Sequence, residues 1–94
     1  MDFRYFLSPD TGQPHIYDHD VSESEVEDVL DRPLEQMHGR QNTIIALGMT
    51  RSGRYLRVIY SPDAIGGGMF VITAFDLPPK QVRALNRRRK RKPR

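Results

Sequence analysis

Apolar residues recur at helical spacing in the first third of the chain. In the middle of the chain they alternate with polar residues, as in a strand. Val26 and Val29 lie three residues apart, and the acidic residues around them fall on the opposite, solvent-facing side. Ser22 stands before this segment and Glu25 follows three residues later, which predicts a capping box at the start of a helix. Pro33 ends the helix, because the residue before a proline is pushed out of the helical conformation.

Three apolar segments further along the chain predict the strands of one sheet. They cover residues 43–49, 55–60 and 69–75, and the first two are joined by a short turn. The loop before the third contains Pro62 and Gly66-Gly67-Gly68. Consecutive strands with short connections favour an antiparallel meander. Both faces carry apolar side chains, so we expect one face to contact the helix and the other to contact a partner.

The two ends of the chain show weaker patterns. Residues 3–7 and 15–17 are short, partly aromatic runs around a turn-rich stretch, which favours an edge hairpin or an irregular arm. Val82 and Leu85 form a short apolar stripe after two prolines, which predicts a C-terminal helix that frays into a basic tail. The predicted fold is therefore α+β: a small antiparallel sheet of three central strands, with the N-terminal edge hairpin as an addition, flanked by one acidic helix and one basic helix.

The composition fits one cytoplasmic domain. With 94 residues the chain is long enough for a single core, which we place at residues 1–86, with a basic tail at 87–94. The absence of cysteine excludes disulfides, thiolate metal sites and thiol nucleophiles, and it is typical of a reducing compartment. No segment approaches the roughly 20 apolar residues of a membrane span. We expect a soluble cytoplasmic protein that does not associate with membranes.

Charge is strongly segregated along the chain. The first 39 residues contain ten acids and two bases, whereas residues 40–86 contain six bases and two acids. The tail from Arg87 to Arg94 adds seven bases and no acid. So dense a cationic segment favours a polyanionic partner, although a solvated charged surface is the simpler alternative.

An arginine-rich hairpin is the first candidate for chemistry. Arg51, Arg54 and Arg57 lie in or beside the predicted turn, near Tyr55 and Tyr60. Guanidinium groups bind phosphate in a bidentate manner and aromatic rings stack on unpaired bases, so the mixture suits single-stranded RNA. Ion pairing of these arginines with the acidic helix is the alternative. The predicted nucleic-acid-binding residues are Arg40, Arg51, Arg83, Arg87, Arg88, Arg89, Lys90, Arg91 and Lys92.

The histidines, the glycine run and the serines give weaker indications of a functional site. His15 and His19 have helical spacing, but Pro14 argues against a continuous helix and no metalloprotease motif is present. A histidine can still serve as a general acid or base. The glycine run lacks the residues of a phosphate-binding loop, and no serine lies in a nucleophile-elbow sequence. We therefore expect no metal and no cofactor.

The overall pattern resembles the BrnT-like toxins and their relatives over residues 15–86. The residues that carry the resemblance are His19, Val21-Ser22, Glu25, Val29-Leu30, Asp31, Pro33, Gly48, Gly53-Arg54, Leu56, Val58, Tyr60 and Ile72-Thr73-Ala74. That family is similar in fold to RelE-type ribonuclease toxins, which have a small antiparallel sheet flanked by helices. The resemblance implies a toxin that cleaves RNA without metal and is neutralised by a co-expressed antitoxin protein.

The resemblance also implies catalytic roles. Arg54 and Arg57 would hold the scissile phosphate, while Tyr60 or His19 would transfer protons. The chain departs from the family around the histidine, where it has aspartates, and after the last strand, where Phe75 and an aspartate replace the usual arginine.

Two alternatives remain beside an endoribonuclease. The first is a non-catalytic RNA-binding or ribosome-associated module on the same scaffold, favoured by the basic tail. The second is a protein-interaction domain, in which the apolar sheet face and the acidic helix recruit a protein and the tail aids solubility. The candidate partners are RNA or the ribosome, a cognate antitoxin protein and a second copy of the chain.

Overall fold

The computed structural model describes residues 2–62 and 67–91. In chain order the elements are β1 (Phe3–Tyr5), a 3-10 helix (His15–His19), α1 (Glu23–Asp31), β2 (Glu35–His38), β3 (Ile44–Met49), β4 (Tyr55–Pro62), β5 (Met69–Asp76) and α2 (Pro79–Arg91). The three predicted central strands and the acidic helix are present, and the fold is α+β. Gly66 of the predicted glycine loop and Lys92 of the predicted RNA-binding set lie outside the described residues.

Helix α1 begins as the sequence predicts. The Ser22 hydroxyl accepts a hydrogen bond from the Glu25 backbone N–H at 3.2 Å, and the Glu25 carboxylate accepts one from the Ser22 backbone N–H at 3.0 Å. This capping box satisfies two backbone donors that the first turn of a helix leaves unpaired. Val26 and Val29 are fully buried, and the helix ends two residues before Pro33.

The sheet has five strands in the order β1-β5-β4-β3-β2. Strands β2 to β5 are antiparallel neighbours, whereas β1 is parallel to β5. The sheet is therefore mixed, and the predicted three-stranded antiparallel core with an edge hairpin is only part of it. Strand β2 was not predicted, because its sequence Glu-Gln-Met-His is mostly polar. Such a sequence is accommodated at an edge, where one side of the strand meets solvent.

The predicted N-terminal edge hairpin is formed only in part. Residues 3–5 pair with Met69–Val71 in parallel, and residues 15–17 belong to the 3-10 helix. One isolated bridge between Leu7 and Pro14 is the remnant of hairpin pairing. Proline cannot donate a backbone hydrogen bond to a ladder, and the helical turn that follows it buries Ile16 in the main core.

Each helix packs against a different face of the sheet. The first face carries Ala46, Leu56 and Val58, which form the main core with the buried valines of α1. The second face carries Leu47 and Tyr55, which pack with Leu85 of α2 in a smaller cluster. Because side chains alternate along a strand, neighbours such as Leu56 and Arg57 point to opposite faces. Helices α1 and α2 consequently lie on opposite sides of the sheet.

Helix α2 extends into the segment expected to be a tail. It continues through Arg91, so the predicted boundary after residue 86 does not coincide with the end of the helix. Leu85 is fully buried, and Val82 packs beside it. The Arg88 guanidinium donates two hydrogen bonds to the Glu35 carboxylate, at 2.6 and 2.8 Å, which joins α2 to strand β2 and raises the pKa of Arg88.

Candidate nucleic-acid interface

Arg54 is held by three segments of the chain. Its Nε and Nη2 donate to the two carboxylate oxygens of Asp76 at 2.7 and 3.3 Å, and its Nη1 donates to Glu25 Oε1 at 3.0 Å. The same Nη1 donates to the Asp20 carbonyl at 2.7 Å, and Nη2 donates to the His19 carbonyl at 3.4 Å. Arg54 therefore connects the end of β5, the start of α1 and the 3-10 helix.

The contacts of this network stabilise the charged forms of Arg54, Glu25 and Asp76. Hydrogen bonding to Asp76 raises the pKa of Arg54, and the hydrogen bond from Arg54 lowers the pKa of Asp76. The pKa of Glu25 is lowered chiefly by the Ser22 backbone N–H and then by Arg54. A guanidinium already bound to two carboxylates has few free donors for a phosphate. This geometry argues against Arg54 as a phosphate ligand.

The other two arginines of the predicted cluster have different partners. The Arg51 backbone N–H donates to the Asp28 carboxylate at 3.1 Å, while its side chain is 90% exposed and its Nε is 3.6 Å from that carboxylate. Arg57 lies on the sheet face that α2 covers in part, with Phe75 as its partner on β5. The predicted gathering of three arginines on one surface is wrong, because Arg51 and Arg54 contact acidic residues of α1 whereas strand alternation places Arg57 on the opposite face of the sheet.

Tyr60 does not share a surface with Arg57. It is 5% exposed in the core beneath α1, and its hydroxyl donates to Gln36 Oε1 at 3.1 Å. Burial raises the pKa of this hydroxyl, which makes it a weaker proton donor. The four predicted catalytic residues are therefore not assembled in one site.

A histidine and aromatic cluster occupies the edge of the sheet beside β5. The rings of His15 and His19 meet edge to face with centroids 5.3 Å apart, and His19 meets Phe75 at 5.7 Å. His15 also meets Phe6 at 6.1 Å, and its Nδ1 is 3.2 Å from the Asp18 carboxylate. His15 was not among the predicted catalytic residues, although its spacing from His19 was visible in the sequence.

The main cationic surface lies on α2. Lys80, Arg83, Arg87 and Lys90 recur at intervals of three and four residues, which places them on one face of the helix. We call these four residues the α2 cationic face. All four are exposed and lie opposite the buried Leu85. Within the described part of the chain, none of the four side chains has an ion pair or hydrogen bond.

The remaining predicted RNA-binding residues fall into three groups. Arg40 is exposed in the turn between β2 and β3, and Arg89 is exposed on α2. Arg88 is engaged by Glu35. Arg91 ends α2, and Lys92 lies beyond the described residues.

Neither a metal-binding cluster nor a membrane-spanning helix is present among the described residues. In residues 2–62 and 67–91, no group of three or more histidine, aspartate or glutamate side chains is arranged to hold a metal ion. No helix in the same ranges has the length and apolar character to cross a membrane. Comparison with known proteins found no matching family model, no matching curated protein and no matching solved structure.

Proposed function

We propose that this protein binds single-stranded RNA through the α2 cationic face. The observation that carries the proposal is the set of four exposed, unpaired cations on one side of α2, as seen in the described residues. From Lys80 to Lys90 the helix rises about 15 Å, long enough for contact with several consecutive phosphates. Phosphate contacts supply most of the affinity of sequence-independent binding.

The position of α2 supports this role. Leu85 fixes one side of the helix against the sheet, so its opposite side faces solvent in a defined orientation. Beside α2, the same sheet face carries Arg57 and Phe75. The α2 cationic face points away from that sheet face, so the four cations of the helix alone carry the proposed phosphate contacts.

Salt-dependent binding tests the proposal. The affinity of a fluorescein-labelled RNA of about 12 unpaired nucleotides is measured by anisotropy at several salt concentrations from about 50 to 200 mM. Each phosphate neutralised on a single strand contributes about −0.7 to the slope of log affinity against log salt. We expect Arg83→Gln/Arg87→Gln to reduce the magnitude of this slope by about 1.4.

The matched control removes two exposed arginines elsewhere. Arg40→Gln/Arg51→Gln changes the net charge equally and should keep the wild-type slope. Glutamine has a good helix propensity, so the α2 variant should retain its circular dichroism spectrum. Equal losses in both variants, or binding that does not respond to salt, would contradict the proposal.

RNA cleavage without metal is the second candidate function, as in the BrnT-like toxins that the chain resembles. The observation that favours it is the contact between His15 and His19, with Asp18 beside His15. One imidazole would accept the proton of a ribose 2′-hydroxyl as its oxygen attacks the adjacent phosphorus, and the other would protonate the departing 5′-oxygen. The products would be a 2′,3′-cyclic phosphate and a free 5′-hydroxyl.

Cleavage is tested in the presence of a chelator. Wild-type protein should produce cyclic phosphate ends, and His15→Ala and His19→Ala should each lose most of this activity. His38→Ala is the matched control, because His38 lies on β2 at the other edge of the sheet. Absence of cleavage by the wild type, or full activity in both histidine variants, rejects the second function and leaves RNA binding in place.

A further inference from the structure

A groove lies between α1, β1 and the turn that follows β3. It has a volume of about 500 Å³ and is lined by Phe3, Glu27, Asp28, Leu30, Asp31 and Arg51. Phe3 and Leu30 are half-buried and pack against the main core, so they give the groove an apolar floor. The three carboxylates make its wall acidic. We call this feature the α1 groove.

The acidic residues on α1 repeat every four residues, which is also the spacing of two arginines on α2. Glu23, Glu27 and Asp31 are exposed at i, i+4 and i+8, which forms one acidic row along the helix. Arg83 and Arg87 on the α2 cationic face are also separated by four residues. Two helices that pack lengthwise can therefore pair consecutive charges of one row with those of the other.

These complementary rows cannot meet within one molecule. Helix α1 packs on the sheet face of Leu56, and α2 packs on the face of Leu47, so the sheet stands between them. Arg51 also borders the groove, but its side chain is 90% exposed and its Nε is 3.6 Å from Asp28. So loose an exposed ion pair contributes little and does not close the groove to a partner.

We propose that the α1 groove of one copy binds the α2 cationic face of a second copy. The carboxylates of the groove pair with Arg83 and Arg87, and its apolar floor packs against the aliphatic parts of those side chains. Because the groove and the helix are different surfaces, the contact is either reciprocal within a closed dimer or propagates from head to tail. Where RNA occupies α2, as proposed above, it competes with this contact.

Self-association is measured by sedimentation velocity over a range of protein concentrations. Wild-type protein should associate at about 50 mM salt and dissociate at about 500 mM, where exposed charges are screened. The groove variant Glu27→Gln/Asp31→Asn and the helix variant Arg83→Gln/Arg87→Gln should each associate about 10-fold more weakly, because each removes one side of two ion pairs. The control Asp10→Asn/Asp20→Asn removes two acids outside the groove and should associate like the wild type.

Mixing the two variants gives the sharpest test. The helix variant retains an intact groove and the groove variant retains an intact α2, so a labelled copy of one should bind the other with one complete contact. A wild-type protein that stays monomeric at about 0.5 mM and low salt, or a mixture that associates no better than either variant alone, overturns the proposal. The groove variant keeps the α2 cationic face, so its RNA affinity shows separately whether RNA binding holds.

Discussion

Replacement of Arg54 by alanine removes a side chain that joins three parts of the chain. The hydrogen bond to Glu25 at 3.0 Å is the most shielded from solvent, because Arg54 and Glu25 are only 25% and 24% exposed. Hydrogen bonds that involve a charged group contribute about 1.5–3 kcal/mol when well formed. The ion pair with Asp76 contributes less to the free energy of unfolding, about 0.2–1 kcal/mol, because that carboxylate is 65% exposed.

These contacts predict that Arg54→Ala lowers the free energy of unfolding by about 3 kcal/mol after solvent screening is allowed for. In a domain of this size the loss is a large part of the total stability and lowers Tm by about 15 °C. Urea unfolding followed by circular dichroism and tyrosine fluorescence measures the loss. Arg51→Ala is the control, since its exposed side chain should contribute less than about 0.5 kcal/mol.

The stabilising effect of Arg54 should also depend on pH. The folded-state pKa values of Glu25 and Asp76 are lowered, so their contribution is present above the unfolded values near 4 and is lost as the pH falls through the folded values. The difference between the wild type and Arg54→Ala should therefore shrink below about pH 4. A cost under about 1 kcal/mol at neutral pH, or an equal cost for Arg51→Ala, would refute this reasoning. Reduced RNA affinity of the folded variant would instead make Arg54 a phosphate ligand.

Three further substitutions test the packing of the two helices by the same urea assay. Ser22→Ala should cost about 1 kcal/mol through loss of the helix cap, and an unchanged midpoint would show that the cap is replaceable. Gly48→Ala should cost about 1–3 kcal/mol, because its new methyl group would lie 3.0 Å from Val29 Cγ1; no cost would mean that α1 shifts freely. Leu85→Ala should cost about 2–4 kcal/mol, because this side chain is fully buried beneath α2, and a smaller loss would show that α2 is weakly attached.

Local patterns in the sequence were enough to predict α1 and the three central strands. The Ser22 and Glu25 capping pair acts within one turn, and the alternating apolar residues of β3, β4 and β5 mark which side chains are buried. Strand β2 was missed because its polar sequence acquires strand structure only by pairing with β3. The parallel pairing of β1 with β5 joins segments far apart in the sequence, and no local pattern indicates it.

The features of the candidate sites also fall into those that the sequence determines and those that only the tertiary structure determines. The sequence alone determined that the chain has an acidic N-terminal half, a basic C-terminal helix and arginines in the turn before β4, because these are properties of composition and spacing. Only the tertiary structure decided that Arg54 is bound by Glu25 and Asp76, 29 and 22 residues away, and that Arg57 and Tyr60 point to opposite faces. Strand pairing and helix packing bring distant charges together, so they determine which arginines are neutralised within the fold and which remain available to a partner.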